Sequence, residues 1–415
     1  MHRAVRQERD AIIMSVLTMM ETIDAISMIA SINKFTYRPS SMTPVRLQQI
    51  STRVAFFIAG FALAAWAPLV PFAKDRAGLD EAALGLLLLC FGAGSIVSMP
   101  LAGTLASRLG CRAMIAATTI LISITLPFLA CVDSFSALAA ALLLFGAAVG
   151  TVDVVVNIQA VIVERASGRS MMSGFHGLFS VGGIVGALSV SSLLFLGASP
   201  LIATLAVVGV ILALLAGFGK HLLPYGSHGG EARLILPRGP VLTLGLLCFI
   251  TFLAEGAMLD WSAVFLTSRR GVTPGQAGFG YAVFAIAMTL GRLNGDRCVQ
   301  ALGGKRILLF GSLCAAAGLA VAVLVPIPAA ALVGFVLVGV GCSNLAPVLY
   351  SASGSQSAMP AGAAISAITT IGYSGILVGP ALIGFVAQAA TLSIAFMGVA
   401  TLLLLVARSS HVAVR

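Results

Sequence analysis

This chain consists largely of long apolar stretches separated by short polar breaks, and the length of these stretches limits the folds that it can adopt. Each stretch is roughly 20 residues long, which is the length that an α-helix needs to cross about 30 Å of hydrocarbon. Transmembrane strands would need segments of about ten residues with alternating polarity. The stretches are apolar on all sides and therefore predict twelve helices, at residues 52–73, 82–106, 112–132, 136–163, 172–196, 200–219, 240–267, 275–297, 305–325, 328–352, 361–388 and 390–408.

The composition agrees with a protein embedded in a lipid bilayer. Hydrophobic residues make up 59% of the chain and charged residues 9%, whereas soluble domains contain about 25% charged residues. The mean hydropathy is +1.07. In a soluble protein the net charge of +10 would suggest a nucleic-acid partner, but here the basic residues lie mainly on one side of the predicted spans, so we expect no nucleic-acid partner.

The distribution of basic residues predicts the orientation of the spans. The side that we assign to the cytoplasm carries fifteen Lys and Arg residues, and the opposite side carries four. By the positive-inside rule both termini are cytoplasmic, and an even number of spans agrees. The fifteen are Arg46, Arg53, Arg108, Arg112, Arg165, Arg169, Lys220, Arg233, Arg238, Arg292, Arg297, Lys305, Arg306, Arg408 and Arg415, and the four are Lys74, Arg76, Arg269 and Arg270.

Segments of the chain recur about 192 residues further on. Single matches are common in a chain rich in glycine and alanine, but four matches at nearly one offset predict two homologous halves that run in the same direction. The predicted fold class is therefore an all-α membrane protein with two parallel, pseudo-symmetric six-helix bundles. The matched pairs are Gly103 with Gly295, Asp153 with Asn344, Trp66 with Trp261, and Gly183 with Gly375.

We place the bundles at residues 42–219 and 240–408, with a cytoplasmic linker at 220–239 and a cytoplasmic tail at 409–415. The apolar run before residue 42 contains Glu21 and Asp24, which are costly at a bilayer centre. An interfacial helix is one interpretation of residues 1–41. A disordered or non-native leader is favoured, because Met42 would make an ordinary cytoplasmic start.

The two parallel halves and the loop Gly-x-Leu-x-x-Arg-x-Gly-x-Arg after span two resemble the major facilitator superfamily of secondary transporters, over residues 42–408. The segments GTVDVVVNIQAVIVE, FHGLFSVGGIVG, FLAEGAMLDWSAVFL and GRLNGDR together resemble bacterial permeases of the fucose-permease-like branch. The resemblance implies the MFS fold, a bacterial inner-membrane location and movement of a small solute, with protons as the coupling ion.

The loops after spans two and eight are candidates for a conformational latch. The family usually has an acidic residue where this chain has Ser107, while the second copy has Asp296 beside its glycine. Gly103 and Gly295 allow neighbouring helices to approach closely. The basic residues can bind helix C-termini or carboxylates, although they also fit a role in topology alone. These residues are Arg108, Arg112, Arg297 and Lys305.

Carboxylates within the apolar sequence are the main candidates for proton and substrate binding. Asp153, Asn157 and Glu164 lie four and seven residues apart, so they share one face of span four. Asp153 is expected to face a central cavity, and Glu164 at the cytoplasmic end fits a structural role better. Glu255 and Asp260 lie on different faces of span seven. Glu255 is the deeper carboxylate; for Asp260, N-capping or pairing with Arg269 or Arg270 competes with a gating or binding role.

Several uncharged candidates complete the predicted site. His176 fits a proton relay or a packed histidine. Trp66 and Trp261 fit an interfacial belt or a stacking surface for a ring-shaped solute near the outer mouth. Asn344 and Tyr373 could hydrogen-bond a solute, whereas the glycines of span eleven and Pro380 fit packing and bending of the helix. These glycines are Gly372, Gly375 and Gly379.

We therefore predict a secondary active transporter that moves a small polar organic solute by alternating access, coupled to protons through Asp153 or Glu255. Proton-driven efflux of a drug or toxic metabolite is the alternative within the same class, and a non-transporting sensor or assembly partner is a remote one. The chain lacks HExxH, a P-loop and a nucleophile elbow, so no enzyme activity is expected. The seven scattered cysteines predict neither disulfides nor a metal site. No cofactor is expected, and a monomer is sufficient.

Overall fold

The computed structural model describes residues 44–79, 81–226, 236–272 and 278–413. The expected leader at 1–41 and the middle of the linker lie outside the described residues. The helices of the described ranges are α1 (Pro44–Ala65), α2 (Val70–Arg76), α3 (Glu81–Leu109), α4 (Cys111–Cys131), α5 (Phe135–Ser167), α6 (Met172–Phe195), α7 (Pro200–Phe218), α8 (Pro240–Arg270), α9 (Phe279–Leu302), α10 (Gly304–Leu324), α11 (Pro328–Cys342), α12 (Leu345–Ser355), α13 (Ala361–Ala389) and α14 (Leu392–Ala413).

The described part of the chain contains 11 helical segments that are long and apolar enough to cross a membrane. One of them, Val45–Arg76, includes α1 and α2, and another, Pro328–Ser355, includes α11 and α12. The 24-residue helix α9 occupies the predicted eighth span and is more polar, with three charged side chains in its second half. The predicted all-α membrane fold is confirmed. The last helix reaches Ala413, five residues beyond the predicted end of span twelve.

The packing of the helices repeats between the two halves. In the first half α1 packs on α6, α3 on α5, and α4 on α7. In the second half the equivalent pairs are α8 with α13, α9 with α11, and α10 with α14. The halves meet where α3 packs against α13 and α6 against α9. The internal repeat of the sequence is therefore also a repeat of helix contacts.

The two matched loops after α3 and α9 share one backbone turn. Gly110 precedes α4 with φ of +84°, and Gly303 precedes α10 with φ of +80°. Glycine adopts this conformation without the steric penalty that a Cβ atom brings. The recurrence of glycine at this point of both loops thus has a direct conformational cause.

Glycines also set the close approach of helices within each half. A Cβ atom at Gly182 of α6 would collide with the carbonyl oxygen of Phe57, and one at Gly375 of α13 would collide with that of Phe249. The packing role expected for Gly375 is therefore observed. These contacts align Phe57 with Phe249, so Glu255 corresponds to Leu63 and not to Gly60, the residue to which an alignment on the two tryptophans assigns it.

Candidate functional site

A buried ion pair lies between α8 and α9. One nitrogen of the Arg292 guanidinium, Nη2, lies 3.1 Å from Oε1 of Glu255 and 3.2 Å from Oε2. The side chains are 7% exposed for Arg292 and 12% exposed for Glu255. The expectation that Arg292 belongs to a cytoplasmic loop is wrong, since the residue is buried within α9. One indication of such a pair was present in the sequence, because Glu255 lies within an apolar span, where a carboxylate is costly unless a partner inside the bundle neutralises it.

The same guanidinium reaches both halves of the molecule. Its Nη1 donates to the hydroxyl of Ser180 in α6, at 3.0 Å. Its Nε donates to the backbone carbonyl of Ser343, at 3.2 Å. Arg292 therefore connects α8, α6 and the junction of α11 with α12. Sequence reasoning missed this residue because its role depends on three segments that are distant in the chain.

Asp153 lies in the middle of α5 and is half-buried. The amide nitrogen of Asn157 donates to the Asp153 backbone carbonyl at 2.9 Å and lies 3.5 Å from the carboxylate oxygen Oδ1. The amide oxygen of Asn157 lies 3.1 Å from Nε2 of His176. Since this oxygen can only accept, the histidine donates through Nε2. The predicted candidates Asp153, Asn157 and His176 thus form one hydrogen-bonded chain.

His176 extends this chain to the second half. Its ring stacks on Tyr350 of α12 with centroids 5.5 Å apart, and it also contacts Phe56 of α1 at 5.3 Å. The hydroxyl of Tyr350 donates to Thr369 of α13 at 3.1 Å. His176 is only 8% exposed. It is therefore a packed, hydrogen-bonded histidine that stands at a contact between the halves.

The beginning of α6 is held by two carboxylates, one from each half. Glu164 of α5 accepts hydrogen bonds from the backbone N–H groups of Met171 and Met172, both at 2.7 Å. Asp296 of α9 accepts from the N–H of Gly174 at 3.1 Å. The hydroxyl of Ser351 in α12 also donates to Glu164, at 2.5 Å. Glu164 thus has the structural position that its sequence context suggested.

These contacts lie at the end of the bundle that carries Arg165, Arg169 and Arg297, which we call the basic end. There Nε2 of Gln300 also donates to the carbonyl of Ser170 across the halves, at 3.2 Å. The first N–H groups of a helix have no partner within the helix and carry a partial positive charge. The two carboxylates satisfy these groups and hold the halves together at the basic end.

The first-half loop is arranged differently. Gly103 contacts the carbonyl of Gly362 in α13 so closely that a Cβ atom would not fit. Ser107 donates to the carbonyl of Thr104 in its own helix, at 2.7 Å. Arg112 donates to the carbonyl of Leu222 at 2.9 Å, within the first half. The other two arginines of the predicted latch, Arg108 and Arg297, are exposed.

Asp260 is exposed on the third turn before the end of α8. The expectation that it caps a helix N-terminus is wrong, because α8 is continuous from Pro240 to Arg270. Arg270 does not face Asp260, since it donates to the carbonyls of Ala322 and Val323 at the end of α10.

The two matched tryptophans differ from typical belt residues. Trp66 is only 7% exposed. Trp261 packs beside Gly384 of α13. Among the described residues neither indole N–H has a hydrogen-bond partner, and both nitrogens are buried. A belt residue directs its N–H toward the wet interface, so this burial favours positions inside the bundle.

Asn344 and Tyr373 line contacts between helices. Asn344 lies between α11 and α12 and donates to the carbonyl of Gly291 at 3.2 Å and to the hydroxyl of Ser343 at 2.8 Å. Tyr373 of α13 is half-buried. In the described ranges no group of three or more His, Cys, Asp or Glu side chains is placed to hold a metal ion.

One family model and several related proteins match this chain over most of its length. The family model described as Major Facilitator Superfamily matches residues 54–380. An MFS-type transporter of Yersinia pestis, described as uncharacterized, is 58% identical over 369 residues, which cover 89% of this chain and 96% of that protein. Membrane protein MosC of Rhizobium meliloti is 32% identical over 359 residues, 86% of this chain and 87% of that protein.

Solved structures share the fold at low sequence identity. The E. coli fucose:proton symporter FucP superposes with a TM-score of 0.77 at 15% identity, covering 90% of this chain and 100% of that chain. FucP in the outward conformation gives a TM-score of 0.78 at 16% identity, with the same coverage. The proton:xylose symporter XylE gives 0.67 at 12% identity, covering 89% of this chain and 96% of that chain.

Proposed function

Since this chain belongs to the major facilitator superfamily of transporters, we propose that it moves a small polar, sugar-like organic solute by alternating access, coupled to protons. The fold and the relatives are those of transporters and not of enzymes. The similar structures include symporters that move fucose or xylose together with protons. Because the solutes of these symporters are sugars, they support a polar solute for this chain, bound between the two halves.

The observation that carries the proposal is the environment of Asp153. In the described part of the chain its carboxylate contacts the amide of Asn157 and has no cationic partner. Glu255, by contrast, is paired with Arg292. A carboxylate inside a membrane protein is more costly to keep charged when it lacks a counter-ion. Asp153 is therefore the group assigned to carry the proton, and Glu255 is not.

The test is transport by purified protein in liposomes with the variant Asp153→Asn. This variant cannot take up and release a proton, so it should lose accumulation driven by a pH gradient while it still exchanges solute across the membrane. Asp133→Asn is the matched control, because it removes an exposed carboxylate in the loop between α4 and α5 and should leave accumulation in place. Full pH-driven accumulation by Asp153→Asn would exclude Asp153 from proton coupling.

The solute has to be identified before this assay. A thermal-shift screen of sugars, organic acids and drugs against the purified protein measures which class binds, and the proposal expects stabilisation by a sugar or related polyol. Vesicles of both orientations then give the direction of movement. Accumulation of a drug in inverted vesicles, with no binding of polyols, would support the alternative of proton-driven efflux.

The proposed location is the bacterial cytoplasmic membrane, with the basic end and both termini in the cytoplasm and with the monomer as the working unit. The excess of Lys and Arg on that side supports this orientation. A fluorescent-protein fusion at the C-terminus should be bright, and an alkaline-phosphatase fusion at the same point should be inactive. The reverse result would contradict the orientation without affecting the assignment of Asp153.

A further inference from the structure

The tenth span is interrupted near its middle. Helix α11 ends at Cys342 and α12 begins at Leu345. In a continuous helix the N–H of residue 347 would donate to the carbonyl of Ser343, but Pro347 has no N–H. The Ser343 carbonyl receives its hydrogen bond from Nε of Arg292, at 3.2 Å. A side chain of α9 thus replaces the backbone donor that the proline removes.

The remaining nitrogens of the Arg292 guanidinium hold two other parts of the molecule. Nη2 binds the carboxylate of Glu255 in α8, and Nη1 binds Ser180 in the opposite half. A guanidinium is planar and presents donors in fixed directions, so these three bonds constrain one another. A lysine ammonium in this place could keep the ion pair with Glu255, but it could not donate to all three partners in the fixed directions that a guanidinium gives.

The segment after the interruption carries contacts between the halves. Tyr350 of α12 stacks on His176, and Ser351 donates to Glu164, next to the beginning of α6. Any change in the angle between α11 and α12 therefore alters these contacts. Sharp kinks in helices usually occur at proline, so Pro347 gives span ten a place to bend.

We infer that Arg292 is a positioning residue that couples Glu255 to the bend of span ten and, through it, to closure of the halves at the basic end. When a solute or another group engages Glu255, the guanidinium loses one of its anchors, and its bonds to Ser343 and Ser180 loosen together. This inference rests on the proposed alternating-access function, and it assigns the coupling to a residue other than the proton carrier Asp153.

The first test uses Pro347 to isolate the bond to Ser343. Pro347→Ala restores a backbone N–H, so it should recover part of the thermal stability lost in Arg292→Ala. The same substitution should not recover the loss caused by Ser180→Ala, which removes a different partner of the guanidinium. The measurement is the unfolding temperature of the purified variants. Strictly additive shifts for Arg292→Ala and Pro347→Ala would overturn this role of Nε.

The second test measures the separation of the halves, as the distance between spin labels attached at positions 170 and 300. These positions lie at the basic end, one in each half. Glu255→Gln should shift the distance distribution toward an open basic end. In the Arg292→Lys background the same substitution should cause no further shift, because the fixed link to span ten is already absent. Equal shifts from Glu255→Gln in both backgrounds would overturn the inference, since coupling would then bypass Arg292.

These measurements need neither a solute nor transport. If the protein moves no solute in liposomes but the unfolding temperatures and the spin-label distances show the expected non-additive effects, the proposed function fails and the link through Arg292 stands. If transport and the effect of Asp153→Asn are as expected but the effects of the paired substitutions add in both tests, the proposed function stands and the link fails.

Discussion

Gly375 shows how a single residue sets the separation of two helices. The carbonyl of Phe249 in α8 lies where a Cβ atom of residue 375 would be. The obstacle is backbone, which cannot rotate away as a side-chain end can. In a membrane, helices associate through close packing because lipid provides no hydrophobic drive between them.

We expect Gly375→Ala to destabilise the protein by about 1–3 kcal/mol, the usual cost of an overpacked contact. Gly398→Ala is the matched control, because no atom lies within 4 Å of a Cβ at that position. As a glycine within α14, it should gain up to about 1 kcal/mol from the better helix propensity of alanine. Thermal unfolding of both variants in detergent checks this difference. Equal effects would contradict the assigned contact.

At the level of elements, the beginning of α6 depends on charges from outside the helix. The helix has no acidic residue in its first turn. Glu164 and Asp296 supply that charge from α5 and α9. The loops matched through Gly103 and Gly295 already differ in sequence, since the second copy has the acidic residue Asp296. In the structure Asp296 faces the N-terminus of a helix in the opposite half.

We expect Asp296→Asn to weaken this helix terminus by about 0.3–1 kcal/mol, the usual effect of a charge near a helix end. Amide hydrogen exchange of residues 172–178 should become faster, because the N–H of Gly174 loses a charged acceptor. Arg297→Gln changes an exposed neighbour and should leave that exchange unchanged. Unaltered exchange in Asp296→Asn would show that this carboxylate does not hold α6.

At the level of the whole molecule, the described contacts between the halves lie at the basic end and near mid-span. They include Glu164 with Ser351, His176 with Tyr350, and Gln300 with Ser170. This distribution describes a molecule whose halves are joined at the basic end.

Transport by alternating access requires these halves to separate. We expect a short bismaleimide link between Ser170→Cys and Gln300→Cys to stop solute exchange in liposomes, after the exposed Cys131 and Cys298 have been replaced by serine. Each single cysteine variant treated with the same reagent should remain active. Undiminished exchange by the linked double variant would show that opening at the basic end is not part of the cycle.

The amino-acid sequence predicted the all-α membrane fold and the duplication, because the length of an apolar stretch and the recurrence of a motif are properties of the chain read in order. It also nominated Asp153, Asn157 and His176 as separate candidates. Helix periodicity gives the direction of a side chain about one axis and says nothing of which neighbour it meets. The pairing of Arg292 with Glu255, 37 residues away, could not be read from the sequence, and neither could its replacement of the donor that Pro347 lacks. These contacts arise from the relative placement of α6, α8, α9 and the interrupted tenth span, which no local pattern encodes.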